Sequence, residues 1–128
     1  MKDKLRKIVI NEVEYVYLIT GKYLGNDRSK LTVRIYLSGY KQTPLIIEFV
    51  TPDDSYCGPL LNTGICLKNK QTGTIDKVNL NEPKYIRQLI LSGLIKGWTG
   101  ENKMPKQDGI QYLKELGYEV EPLIPEIN

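Results

Sequence analysis

Asp53, Asp54, Ser55 and Cys57 bring the side chains best suited to chemistry into one short stretch. Adjacent carboxylates offer hard oxygen ligands to a divalent cation, which needs several of them. They could also run acid/base chemistry if burial raised one pKa. No second acidic cluster stands at a spacing that would complete such a site. Asp and Ser beside Pro52 are equally what a solvated turn uses, because their side chains bond their own backbone. A turn is therefore the expected state of this segment. A metal or acid/base loop built on Asp53, Asp54 and Cys57 is the alternative.

Other chemistries drop out by residue type. The chain has no histidine, which removes Ser–His and Cys–His dyads, histidine zinc ligands and histidine pH switches. Ser38-Gly39-Tyr40-Lys41 spells S-x-x-K, a pattern whose chemistry needs the serine at a helix start with the lysine one turn on. Here it falls in a loop between strands, with no partner motif. Neither GxGxxG nor GxxxxGK occurs, so no phosphate-cradling loop is expected. The spacing of Cys57 and Cys66 fits neither a CxxC redox motif nor a zinc pair. Two reduced thiols are expected, with a disulfide geometrically open if the segment folds as a hairpin. No catalytic residue, metal or cofactor is assigned.

The net charge of +3 is unevenly spread: +4 over residues 1–50, −1 over 51–82 and zero over 83–128. Lys2–Lys7 and Lys68–Lys70 could meet phosphates, and Tyr15, Tyr17, Tyr23, Tyr36 and Tyr40 could stack on single strands. A nucleic-acid footprint usually needs a denser basic stripe, and tyrosine is also an ordinary strand residue. A weak RNA- or DNA-binding domain using the basic N-terminal half is a further alternative.

These residues need elements to hold them, and 128 residues are enough for one domain with a real core. Lys7–Ile10 and Val13–Thr20 read as strands joined at Asn11-Glu12, Gly21–Lys30 as a loop and Leu31–Leu37 as the cleanest strand. A five-residue loop, Gly39–Thr43, would then set Val33 opposite Phe49, Ile35 opposite Ile47 and Leu37 opposite Leu45, with Arg34 facing Glu48 on the other side. Residues 51–64 break the pattern with two Pro and two Gly. Ile65–Lys68 and Thr74–Val78 suit a short hairpin around Asn69–Gly73. Asn81 can cap a helix that starts near Pro83 and stops at Gly97, with Trp98 sealing its end. Asp108 can cap a second helix over Gly109–Leu116, closed by Gly117, and Tyr118–Val120 suits a last strand.

Ile86, Leu89, Ile90 and Leu94 make the inner face of the main helix. Leu91 and Ile95 lie off that stripe, so either the chain's own tail covers them or a partner does. The segment Pro83–Trp98, with Leu-Ile at its centre and Gly-Trp at its end, resembles small bacterial proteins that include immunity and accessory proteins. That likeness carries no catalytic signature and transfers no residue.

The expected fold is α+β within a single domain, 1–128. An antiparallel sheet of four to six strands carries one main helix packed on a face, with a short C-terminal helix. The expected function is that of a small cytoplasmic, non-enzymatic protein-binding module, possible forms being an immunity, inhibitor or accessory protein. Its partner is a protein or a second copy docking through the main helix at Leu91 and Ile95. A nucleic-acid partner and a membrane are not expected, and an enzyme built on the 51–64 loop remains the alternative.

Overall fold

Two tight turns lay out the first half of the chain. The computed structural model describes residues 5–54 and 58–124, apart from the side chains of 53, 54, 58 and 59. Strand β1 (Arg6–Ile10) turns into β2 (Val13–Gly25) through Asn11 and Glu12, and β2 turns into β3 (Arg28–Leu37) through Asn26 and Asp27. All four turn residues have positive φ, between 51° and 68°. Two successive left-handed residues define the type I′ turn, whose twist matches that of the strands it joins. The expected loop over Gly21–Lys30 is therefore corrected: both strands run on through it, with a bulge at Leu24, and only Asn26 and Asp27 form the turn. Asn and Asp tolerate the left-handed conformation that glycine usually supplies, so a loop-like composition conceals a long hairpin.

Strand β4 (Leu45–Asp54) pairs antiparallel with β3, setting Leu31 against Phe49, Val33 against Ile47 and Ile35 against Leu45. This register is two residues from the expected one. An even slip keeps every side chain on its face, so Val33, Ile35, Ile47 and Phe49 are buried together as the alternation requires. The cost falls on the other face. Arg34 meets Ile46 and not Glu48, and its guanidinium donates to the Thr20 hydroxyl at 3.3 Å. Glu48 pairs instead with Lys30 at 3.4 Å and Lys106 at 3.6 Å.

β4 continues well into the segment expected to be irregular. Its end pairs with β5 (Gly58–Pro59), and a single helical turn, α1 (Leu60–Thr63), follows. Strands β6 (Ile65–Lys68) and β7 (Ile75–Val78) form a separate two-stranded sheet. After helix α2 (Pro83–Ile95), the short β8 (Gln107–Asp108) runs parallel to β4 and leads into α3 (Gly109–Glu115). The main sheet has the order β1-β2-β3-β4-β5, with β8 alongside β4. The fold is mixed α and β with strands dominant. It departs from a single antiparallel sheet by its second sheet, its parallel strand and its extra helical turn. Tyr118 makes one bridge to Asn69 and no strand, and a 3-10 turn follows at Glu121–Leu123.

The helices seat on the face of Leu45 and Phe49. A Cβ on Gly93 of α2 would come within 2.4 Å of a Leu45 methyl, and one on Gly109 of α3 within 2.4 Å of the Phe49 ring. Both glycines are thus close-approach positions. Asn81 does not cap α2. The N-cap position belongs to Glu82, which makes no side-chain cap bond, while the Asn81 amide donates to the backbone and side-chain oxygens of Asn62. Pro83 opens the helix, and Gly97, with φ of 112°, closes it. Trp98 is buried, and its indole N–H donates to the Thr43 carbonyl at 3.0 Å. Its ring centroid lies 5.9 Å from that of Tyr15. Asp108 caps α3, its carboxylate accepting from the Ile110 N–H at 3.0 Å.

Candidate functional site

The acidic segment takes its backbone from a strand, not from a turn: Asp53 stands opposite Pro59 and Asp54 opposite Gly58. Cys57 and Ser55 lie outside the described residues. Cys66 sits exposed on β6. Among the described residues, no group of three or more His, Cys, Asp or Glu side chains is placed to hold a metal ion.

The two off-stripe residues of α2 part company. Leu91 is half-buried and packs against the hydrophobic core, while Ile95, one turn on, is 87% exposed. Beside it, Lys96 donates to Glu115 at 2.6 Å and holds the Glu115 carboxyl below its ordinary pKa. Lys96 also stands 5.0 Å from the centre of the Tyr112 ring. Burial, helped by the Glu115 charge, pushes the Tyr112 phenol up to about 12.

A second polar cluster joins the small sheet to the end of α3. Tyr118 donates to Asp76 at 3.1 Å, and Tyr85 donates to the Lys77 carbonyl at the same distance. Burial first, and then the hydrogen bond to Asp76, push the Tyr118 phenol up to about 12. A phenol so raised stays protonated near neutrality and serves as a donor, not as a base. The cluster's hydrogen bonds are directed inward, to other protein groups.

The other face of the main sheet lies away from the core cluster. Alternation sends Tyr15, Tyr17, Leu31, Val33, Ile35, Leu45, Ile47 and Phe49 inward, where they are buried. The opposite face carries Val16, Leu18, Tyr36 and Ile46, all half-exposed and all outside the core cluster and its packed neighbours. Register places them side by side: Val16 against Tyr36, and Leu18 against Arg34 and then Ile46. Lys7, Lys22, Lys30 and Arg34 share this face, and the Lys30–Glu48–Lys106 ion pairs close one end of it. Thr32, between those charges, is buried beneath them.

The sequence reading did not single out this face. The signal for it was present: β2 and β4 carry apolar residues at both parities, Val16 and Leu18 beside Tyr15 and Tyr17, and Ile46 beside Leu45 and Ile47. A strand that is apolar on both sides needs cover on both.

No family model, curated protein or solved structure matches the chain. No helix among the described residues is long and apolar enough to cross a membrane.

Proposed function

We propose that the chain is a protein-binding module and that its partner seats on the uncovered face of the main sheet. The observation that carries this reading is the band of Val16, Leu18, Tyr36 and Ile46, which lies outside the core cluster. A half-buried apolar band rimmed by charge suits a protein-binding surface, whose apolar centre is bordered by polar groups. An immunity, inhibitor or accessory role is a form of this reading. The band outranks α2 as the docking surface, because α2 offers Ile95 alone: Leu91 is engaged with the core.

In-cell photo-cross-linking tests it. A photoreactive residue at Leu18 should give a discrete protein adduct that Ile46→Asp abolishes, while the same probe at Lys84, on α2, should not. Equal adducts from both positions, or none from Leu18, would refute the reading.

One observation favours a second reading. Lys7, Lys22, Lys30 and Arg34 give the same face a basic character beside Tyr36, as a single-strand platform would require. In that case mixed oligonucleotides bind with a salt dependence set by the number of phosphates neutralised. Arg34→Ala would then weaken binding and flatten the salt slope.

A further inference from the structure

We infer that β1 is a self-complementary edge and that a second copy of this chain adds to it, antiparallel, across a two-fold axis at Ile8. This inference concerns the rim of the sheet and stands apart from the face assigned to a partner above.

The geometry begins at the Asn11-Glu12 turn. A two-residue turn closes with the Val13 N–H donating to the Ile10 carbonyl, and Ile10 and Val13 are register partners. The backbone groups of Ile10 therefore point at β2, and by alternation so do those of Ile8 and Arg6. Those of Lys7 and Val9 point the other way. An independent bond fixes this alternation. The Glu14 carbonyl accepts from the Ser38 N–H at 3.1 Å, on the β3 side of β2, as it must if Val13 and Tyr15 turn theirs toward β1.

Among the described residues β2 is the one ladder partner of β1. The far edge of the sheet is treated differently, because β5 and β8 cover two stretches of β4. Edges are usually blunted by lysine, proline, bulges, shortness or covering segments, and of these β1 has Lys7 and its five-residue length. β1 has neither proline nor bulge: its register with β2 is unbroken from Arg6 to Ile10. Val9, on its outer face, is 60% exposed, and Leu5 just before it is 64% exposed.

Register chooses the occupant. Facing side chains must stay on their own sides of the sheet, so a two-fold axis can fall only on a residue. An axis on Lys7 sets lysine against lysine. An axis on Val9 sets Lys7 against Asn11, which has left the strand for the turn. An axis on Ile8 makes Lys7 and Val9 of opposite copies hydrogen-bonded partners, so all four outward groups are satisfied in each chain. It also sets Arg6 against Ile10 and puts no like charges directly opposite, the two Lys7 residues being diagonal neighbours on one face. The Glu14 carboxylates offset that diagonal approach. Glu14 flanks Val9 on the same face, so the Lys7 side chain of the second copy, lying across Val9, reaches toward the Glu14 carboxylate. A strand this short buries less than a standard stable interface, so the dimer is concentration-dependent.

Sedimentation up to millimolar concentration, with circular dichroism as the folding control, tests the inference. The wild type should gain mass toward a dimer. Val9→Pro should stay folded and monomeric, since the N–H it removes faces away from β2. Ile95→Glu, on α2, should dimerise like the wild type. Disulfide trapping with Cys57 and Cys66 replaced by serine keeps the test decisive should Val9→Pro fail to fold. Ile8→Cys should cross-link, because non-hydrogen-bonded partners stand about 4.5 Å apart at Cα, within disulfide reach. Arg6→Cys, which faces Ile10, should not. A wild type that remains monomeric throughout, a folded Val9→Pro dimer, or equal trapping at both positions overturns the inference.

Discussion

Replacing Gly109 by alanine sets two opposed effects against each other, and the structure decides which wins. Gly109 is the first residue of α3 and has no positive φ, so alanine is conformationally acceptable there. On propensity alone the change should help, by up to ~1 kcal/mol in a helix interior and by less at the first position. Packing opposes it. The added Cβ would stand 2.4 Å from both Cδ2 and Cε2 of Phe49 and 2.6 Å from Cζ. Carbon atoms rest at about 3.5–4.0 Å, so each contact is about 1 Å or more too short. The ring is wholly buried between strand and helix, and the start of α3 is tied to β4 by the β8 pairing that leads into it. Overpacking of this kind costs ~1–3 kcal/mol, which leaves Gly109→Ala destabilised by about 1–2 kcal/mol after the propensity gain. Urea denaturation reads the change as a lower midpoint at unchanged slope. Phe49→Leu in the same chain makes room for the methyl. The double variant should therefore lose less than the sum of the two single changes, with a coupling of ~0.5–3 kcal/mol. A midpoint that rises or stays put in Gly109→Ala would show that α3 does not rest on this ring, and the description of the core would fail with it.

Phe49→Ala should cost ~3–5 kcal/mol, because the whole ring is lost from the centre of the core; an unchanged denaturation midpoint would contradict its burial. Replacing Asp53 and Asp54 with Asn should move stability by less than ~0.5 kcal/mol, and calcium, magnesium or manganese should leave the melting temperature of both forms unchanged. A metal-induced rise confined to the wild type would revive the metal-loop alternative. Alkaline pH should destabilise the fold. Tyr112 and Tyr118 hold their protons up to about 12 when folded, against an ordinary 10, so their contribution is complete below pH 10 and is lost as pH rises toward 12. Tyr118→Phe should make that fall in melting temperature shallower, and an identical pH profile would refute the assignment.

The sequence made one face of the sheet legible and obscured the other. Leu31, Val33 and Ile35 against Leu45, Ile47 and Phe49 could be read from alternation alone, because burial punishes any odd slip. The even slip that separates Arg34 from Glu48 carries no such penalty. A plausible ion pair was therefore a poor guide to register: its worth, ~0.2–1 kcal/mol, is small beside that of the core pairs. Asn26-Asp27 and Asn11-Glu12 adopt the same turn, yet the first was hidden among Gly, Asn, Asp and Ser residues that each suggest a loop. Asn81 and Pro83 marked the start of α2 to within a residue, while the role of the Asn81 side chain depended on Asn62, a partner no local rule supplies. The half-buried band of Val16, Leu18, Tyr36 and Ile46 needed the positions of the helices, since a strand apolar on both faces is equally consistent with being sandwiched.

Asn69 has a consequence for the order in which the molecule comes apart. Its side-chain oxygen accepts from the Gln71 and Thr72 N–H groups, and its amide donates to the Leu116 carbonyl. The Lys70 N–H donates to the Gly117 carbonyl beside it. One buried side chain therefore both shapes the tip of the β6–β7 hairpin and terminates α3, although the two are distant in the chain. Neither can fray without orphaning polar groups of the other, and such a loss is costly where water is excluded. The hairpin and α3 are thereby joined into one cooperative opening unit. The amides of Gly73 and Tyr118, bonded to Asn69 and Leu113 respectively, should exchange with solvent at matched free energies, and Asn69→Ala should release both together while amides of the β3–β4 ladder stay protected.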